Sequence, residues 1–257
     1  MSLARTQHVG GDRDRLMVHA RSAQQVLELL HLPADAGGDI ARTVMLDPAL
    51  TAAVVRAANS AHLGYSRRIG GVRQASVMLG GTLVASLAAG RVADLVFDPE
   101  PPDYPDWLWP HCLAVAAAAS VLAKRTDQSV DDAFTAGILH DVGWLLAASN
   151  GNTLDDADQD HAAAGADLLS RWNFPDRMVA AVQHHHARSN ALVDPLSKIV
   201  VAAHTFAKEV GATSPEPATS KLEALQLVGL SDVRASVIIT EVEQELAQLT
   251  SELRGAA

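Results

Sequence analysis

Residues Ala136-Gly137-Ile138-Leu139-His140-Asp141-Val142-Gly143 set an imidazole and a carboxylate side by side in an otherwise uncharged stretch. One histidine beside one aspartate says little, but seven of the chain's eleven histidines lie between His111 and His204. His111 precedes the pair, and His161, the run His184-His185-His186 and His204 follow it. Helices are predicted over 107–124, 130–148, 161–172 and 176–186, separated by breaks rich in Asp, Gly and Asn or containing Pro. Histidines on successive helices around an adjacent His-Asp can converge on one divalent metal, and imidazole with carboxylate suits Fe, Mn or Zn. Adjacent ligands on one helix, joined by others from neighbouring helices, leave positions open for water and a phosphate oxygen, a geometry that serves phosphoester hydrolysis. The candidate ligands are His111, His140, Asp141, His161, His185 and His204. On a continuous helix His184 and His186 cannot point the way His185 does, so at most two of the three face inward. The competing reading of each histidine is a buried imidazole kept for packing and hydrogen bonding.

Working outward, alanine and leucine dominate, β-branched residues fall at helical spacing, and no run alternates over strand length, so the expected class is all-α. Asp47-Pro48 opens a helix with a capping carboxylate and a proline in the first turn, and Leu50, Val54, Val55 and Ala58 form its apolar stripe. Val77, Met78, Val84 and Leu87 are spaced for burial on a following helix pair. Gly80-Gly81 either starts a helix or, the preferred reading, permits close helix contact. Residues 98–105 contain four prolines and cannot be helical. The expected organisation is an N-terminal helical lobe over 1–98, a Pro-rich linker over 99–106, a second helical lobe over 107–211 and a C-terminal helical extension over 212–257. In that extension Val242, Leu246, Leu249 and Leu253 recur at helical spacing, giving a helix that docks on its own domain or dimerises.

The chain has 257 residues, a net charge of −10 and one cysteine, Cys112. An intramolecular disulfide and a Cys-rich zinc cluster are therefore excluded, any metal is expected on His and carboxylates, and a reducing cytoplasm is the expected compartment. The acidic balance argues against a nucleic-acid partner. The N-terminal residues carry Asp12 and Asp14 and no apolar core of a signal peptide. The uncharged run over 74–90 is short of the roughly 20 apolar residues that a membrane span requires. Arg56, Arg67, Arg68 and Arg73 are the one basic cluster of note, a solvated face or a contact for phosphate or an acidic partner. Trp107, Trp109, Trp144 and Trp172 are expected to pack the second lobe, one of them able to wall a pocket.

The stretch over 136–143 closely resembles the "GLLHDIG" signature of the HD superfamily. Leu46-Asp47-Pro48-Ala49-Leu50-Thr51, with Arg56-Ala57-Ala58-Asn59-Ser60-Ala61-His62-Leu63-Gly64, resembles a segment of HDOD domains, the HD-related output domains of bacterial signalling. The segments over 69–79 and 160–175 resemble later parts of the same pattern in the right order, and the likeness runs over about 26–211. It implies an all-α fold in two helical lobes. It also implies a regulatory module, catalytically weak or inactive, that acts through contacts with signalling proteins and can keep a metal in a residual HD site. A nucleotide ligand, with the arginine group as its sequence support, and a homodimer through the C-terminal helix are further options. The alternative is a metal-dependent phosphohydrolase or phosphodiesterase acting on a nucleotide or cyclic dinucleotide, with His140 and Asp141 catalytic. By the resemblance His111 matches the first His of the HD pattern, His140-Asp141 the pair, and His204 the position of the final Asp. Histidine there can still ligate, but it brings no negative charge. Trp144 stands where related HD-GYP phosphodiesterases have a lysine.

Overall fold

The computed structural model describes residues 16–30, 37–60, 68–96, 104–150, 161–187, 192, 194–215 and 217–252. The described residues form thirteen helices and no strand. They are α1 (Ala20–Leu30), α2 (Gly37–Met45), α3 (Pro48–Ala58), α4 (Val72–Leu79), α5 (Gly81–Val96), α6 (Leu108–Arg125), α7 (Val130–Leu139), α8 (Val142–Ser149), α9 (His161–Arg171), α10 (Asp176–Gln183), α11 (Pro195–Glu209), α12 (Lys221–Leu227) and α13 (Ala235–Glu252). The all-α expectation holds. Helices α1 to α4 gather around α5 or α3, while α6 is flanked by α7, α11 and α13, and α3 and α4 reach across to α7.

Asp47 starts α3 as expected: its Oδ1 accepts the Leu50 N–H at 3.0 Å, and its Oδ2 accepts the His19 N–H at 2.9 Å. One carboxylate thus caps a helix and ties down the extended segment before α1. Leu50, Val54, Val55 and Ala58 are fully buried. At the other end Asn59, also fully buried, donates to the Ile69 carbonyl at 2.8 Å and accepts the Ile69 N–H at 3.0 Å, returning the chain toward α4.

Two expectations fail at the α4–α5 corner. Val84 is buried, but Val77 is 83% and Met78 38% exposed. The cause is Gly80, which takes φ +78° at the end of α4 and lets α5 leave at 115°, so the apolar spacing of one helix does not continue into the next. Nothing lies within 4 Å of a Cβ built on Gly80, so this glycine turns the chain and does not serve close packing. No single helix among the described residues is long and apolar enough to cross a membrane.

Helix α6 is the axis of the second half. Its residues from His111 to Ala123 are all buried, including the run Ala116 to Ala119, which lets neighbouring helices approach closely. Helix α13 lies along it, with Ile238 and Val242 fully buried and Leu246 and Leu249 packed on the core. Lys124 pairs with Glu245 at 2.8 Å and Arg125 with Glu241 through two nitrogens at 2.7 and 2.5 Å. The amphipathic segment therefore docks on its own chain; Leu253 and Arg67 lie outside the described residues, as do 99–103 of the proline-rich stretch.

Candidate metal centre

The helix expected over 130–148 is two helices that meet at the His-Asp pair. His140 closes α7 and Asp141 opens α8 with φ −100° and ψ 21°, so the pair sits in a break and not, as the sequence reading had it, on one helix. Glycines on either side allow the break to close onto its neighbours. A Cβ on Gly137 would stand 2.7 Å from the Ala116 Cα, so α7 and α6 touch backbone to backbone and His140 comes to His111. A Cβ on Gly143 would collide with the His161 carbonyl, so the start of α8 lies against the start of α9 and Asp141 comes to His161.

The last two contributors come from a turn. Helix α10 ends at Gln183, short of the expected 186, and His184 is its exposed cap. Off the helix, the adjacent His185 and His186 both turn inward, within 3.2 and 2.9 Å of the His161 Nε2. His204, from the middle of α11, closes the opposite side, its ring 4.9 Å from that of His111 and 6.0 Å from that of His140.

Asp141 is the centre. Its Oδ2 lies 3.0 Å from the His140 Nε2 and 3.8 Å from the His111 Nε2, and its Oδ1 lies 3.3 Å from the His185 Nε2 and 3.4 Å from the His161 Nε2. Asp141, His111 and His140 are fully buried, and His185, His204 and His161 are at most 5% exposed; His186 stands at the rim. All six sequence candidates thus meet at one place. The donor atoms of Asp141, His161, His185 and His186 lie within 4.8 Å of one another, as do those of His111, His140 and His204, and those of Cys112, His140 and Asp141.

The hydrogen-bond pattern tests whether this set fits a cation. The His140 Nδ1 lies 2.7 Å from the Gly137 carbonyl and the His185 Nδ1 lies 2.6 Å from the Val182 carbonyl. A carbonyl only accepts, so each Nδ1 carries the proton and donates, and in the neutral ring each Nε2 is a lone pair. Both Nε2 atoms lie close to Asp141, at 3.0 and 3.3 Å, and its oxygens have no donor in hydrogen-bond geometry. Acceptors crowding acceptors in a dry interior are unfavourable unless a cation stands between them. Carbonyl-oriented imidazoles beside a carboxylate are also the usual environment of a metal-binding histidine. The residues fit a divalent metal.

Burial depresses the imidazoles further. His111 is lowered to about 4, first by burial and then by the neighbouring imidazole of His140, which disfavours a second proton beside it. His204 is lowered to about 2 by burial and by His140 and His111, and His186 to about 3 by burial and by His185.

Aromatic rings wall the cluster. Trp144 stacks on His161 with centroids 5.0 Å apart, and Trp107 meets both Trp144 and His111 edge-on. The described arginines lie outside this cluster: Arg56 is 4.7 Å over the Trp172 ring, Arg73 acts on Asp131, and Arg68 is exposed beside the Asn59 turn. Sequence reasoning missed His186, because nothing in the sequence marks the end of α10. It also set Cys112 aside, whereas the structure places that thiol among the donors.

Comparison with known proteins agrees with this architecture. The HDOD domain pattern matches residues 16–154, more than half of the chain. The chain belongs to the HDOD domain family. The HD domain pattern matches 108–233, which takes in every residue of the cluster. An uncharacterized protein of Treponema pallidum is 28% identical over 58% of this chain and 33% of its own length. A ribonuclease Y of Thermus thermophilus is 30% identical over 47% of this chain and 20% of its own. The chain thus spans a third or less of these curated relatives. Among solved structures, the MmoQ response regulator of Methylococcus capsulatus superposes with a TM-score of 0.69 at 22% identity, covering 87% of this HDOD chain and 97% of the other. A virulence factor of Campylobacter jejuni gives 0.65 at 16% identity, covering 94% and 98%. At these identities the likeness is one of fold.

Proposed function

We propose that this HDOD protein is a regulatory module of a bacterial signalling system that holds a divalent transition metal in its His/Asp cluster and acts through contacts with other proteins. The observation that carries the metal reading is Asp141, fully buried, its oxygens facing imidazole nitrogens with no donor in hydrogen-bond geometry. Asp141 with His161, His185 and His186, or the group of His111, His140 and His204, would hold the ion. Such an ion supplies Lewis acidity and lowers the pKa of a coordinated water.

The chain's own residues orient and enclose. The Gly137 and Val182 carbonyls fix the rings of His140 and His185, and Trp144 and Trp107 cover one side and restrict water. Weak or absent turnover is supported by the single carboxylate in these donor groups, His204 standing where the HD pattern has its final Asp, and by Trp144 in place of a lysine. The signalling role is supported by membership of the HDOD family and by a fold shared with a response regulator. The alternative, a phosphohydrolase or phosphodiesterase, is favoured by one observation, that the HD match encloses the whole cluster.

Elemental analysis of protein purified without added metal, beside a His140→Ala/Asp141→Ala variant, tests the metal reading. Near-stoichiometric transition metal that the variant lacks supports it. Absence of metal, with no uptake of Mn, Fe or Zn, overturns it. Turnover of a phosphodiester with Mn or Fe, lost in His140→Ala, would replace the regulatory reading with the enzymatic one.

A further inference from the structure

We infer that Cys112 is a thiolate ligand of this centre, which would make the site selective for Zn(II) or Fe(II) over Mn(II) and Mg(II). The inference rests on the metal reading above and adds a ligand of a different chemical kind. Cys112 follows His111 on α6, is fully buried, and is the only cysteine in the chain. Its sulfur, a ring nitrogen of His140 and a carboxylate oxygen of Asp141 lie within 4.8 Å of one another. Donors bound tetrahedrally to one ion at roughly 2.0–2.3 Å sit about 3.3–3.8 Å apart, so a pair at the 4.8 Å limit has to draw in by roughly an ångström, within reach of side-chain rotation.

A lone buried cysteine is ordinarily an inert, small apolar side chain. The independent sign here is Asp141, which is fully buried and whose oxygens meet no hydrogen-bond donor although they face the same space. A cation there would be drawn to the carboxylate and to the neighbouring sulfur together. On binding, the thiol loses its proton to solvent and the sulfur–metal bond forms, with no change of oxidation state. A thiolate among imidazoles favours the softer ions and gives little to Mn(II) or Mg(II), which prefer oxygen.

The test is an anaerobic Co(II) titration of the metal-free full chain followed by absorption spectroscopy. The expected result is visible ligand-field bands together with a near-ultraviolet thiolate-to-cobalt charge-transfer band, both saturating at the same cobalt ratio. With one cysteine present, that second band has a single source. Ligand-field bands without charge transfer would overturn the Cys112 assignment and leave the metal reading standing. No spectral change, together with no Co(II) bound after desalting, would overturn both. The wild-type spectrum decides the question even if a variant folds poorly. Cys112→Ser should lose the charge-transfer band, keep the visible bands, and lower the Zn(II)-to-Mn(II) affinity ratio at least about tenfold; an unchanged ratio would overturn the selectivity claim.

Discussion

Asp47 and Asp141 are both fully buried aspartates at the start of a helix, one in each half of the molecule, and their surroundings differ in kind. Asp47 is met by backbone N–H groups of Leu50 and His19, so its oxygens are consumed by the fold. Asp141 is met by four imidazole nitrogens at 3.0–3.8 Å, and none is placed as a hydrogen-bond donor to it. Asn59, the other buried polar group at the ends of α3, likewise closes a turn of the first half. The second half gathers a buried carboxylate and imidazoles that are not matched to it by hydrogen bonds, the arrangement on which the metal proposal rests.

The largest expected effect separates the two directly. If Asp141 serves a metal, the wild-type chain gains about 4 kcal/mol from an ion present at a thousand times its Kd, which in a chain of this size raises Tm by about 8–16 °C. Asp141→Asn should abolish that rise while the metal-free Tm stays close to that of the metal-free wild type. Calorimetry with and without chelator checks it. A metal-free Asp141→Asn protein that melts far below the metal-free wild type would make Asp141 a structural residue like Asp47.

Asp47→Ala is the converse. Losing the cap costs about 1–2 kcal/mol, and the buried N–H groups left without an acceptor add about 1–3 kcal/mol more. Urea denaturation should show that loss with metal content unchanged. A drop in metal content would mean that the two halves are coupled more tightly than the contacts of α3 and α4 with α7 imply.

The same contrast separates what was legible in the sequence from what was not. Asp47-Pro48 and the stripe from Leu50 to Ala58 were readable because capping and burial there are local, decided by neighbours three and four residues away. The convergence of six ligand candidates was readable from motif order. The break at His140-Asp141 was not, since no Gly or Pro separates the pair and the apolar pattern runs through it. It is imposed from outside, by the approach of α6 at Gly137 and of α9 at Gly143. His186 was hidden for a related reason: α10 ends at Gln183 without a breaker, and only off the helix can adjacent residues share a direction. Val77 and Met78 misled because a hydrophobic stripe shows period, while the φ of Gly80 decides where the stripe points.

Gly137→Ala tests whether the close approach of α7 and α6 makes the site. The added methyl meets the Ala116 backbone, which cannot yield as a flexible side chain would. Such overpacking costs about 1–3 kcal/mol. Because His140 lies just beyond on the same element, metal affinity should fall along with stability. Gly80→Ala, strained at a positive φ but in open space, should cost about 1–2 kcal/mol and leave metal affinity alone.

The smallest effect is a pH dependence confined to Asp47. Burial, outweighing the backbone hydrogen bonds from Leu50 and His19, raises this carboxyl above its ordinary value of 3.8. For an acid raised on folding, the native state binds the extra proton. Stability from this group is therefore fully present below the unfolded value and falls as pH rises through the folded one. Asp47→Asn removes the titration and keeps a side-chain oxygen able to cap α3. The difference in unfolding free energy between wild type and Asp47→Asn, followed by urea denaturation of metal-free protein upward from about pH 4, should shift steadily against the wild type and then level off. A flat difference would mean that the N–H groups compensate burial completely. Asp47 would then be balanced by the fold alone, and its contrast with Asp141, whose neighbours are imidazoles and not backbone donors, would be sharper still.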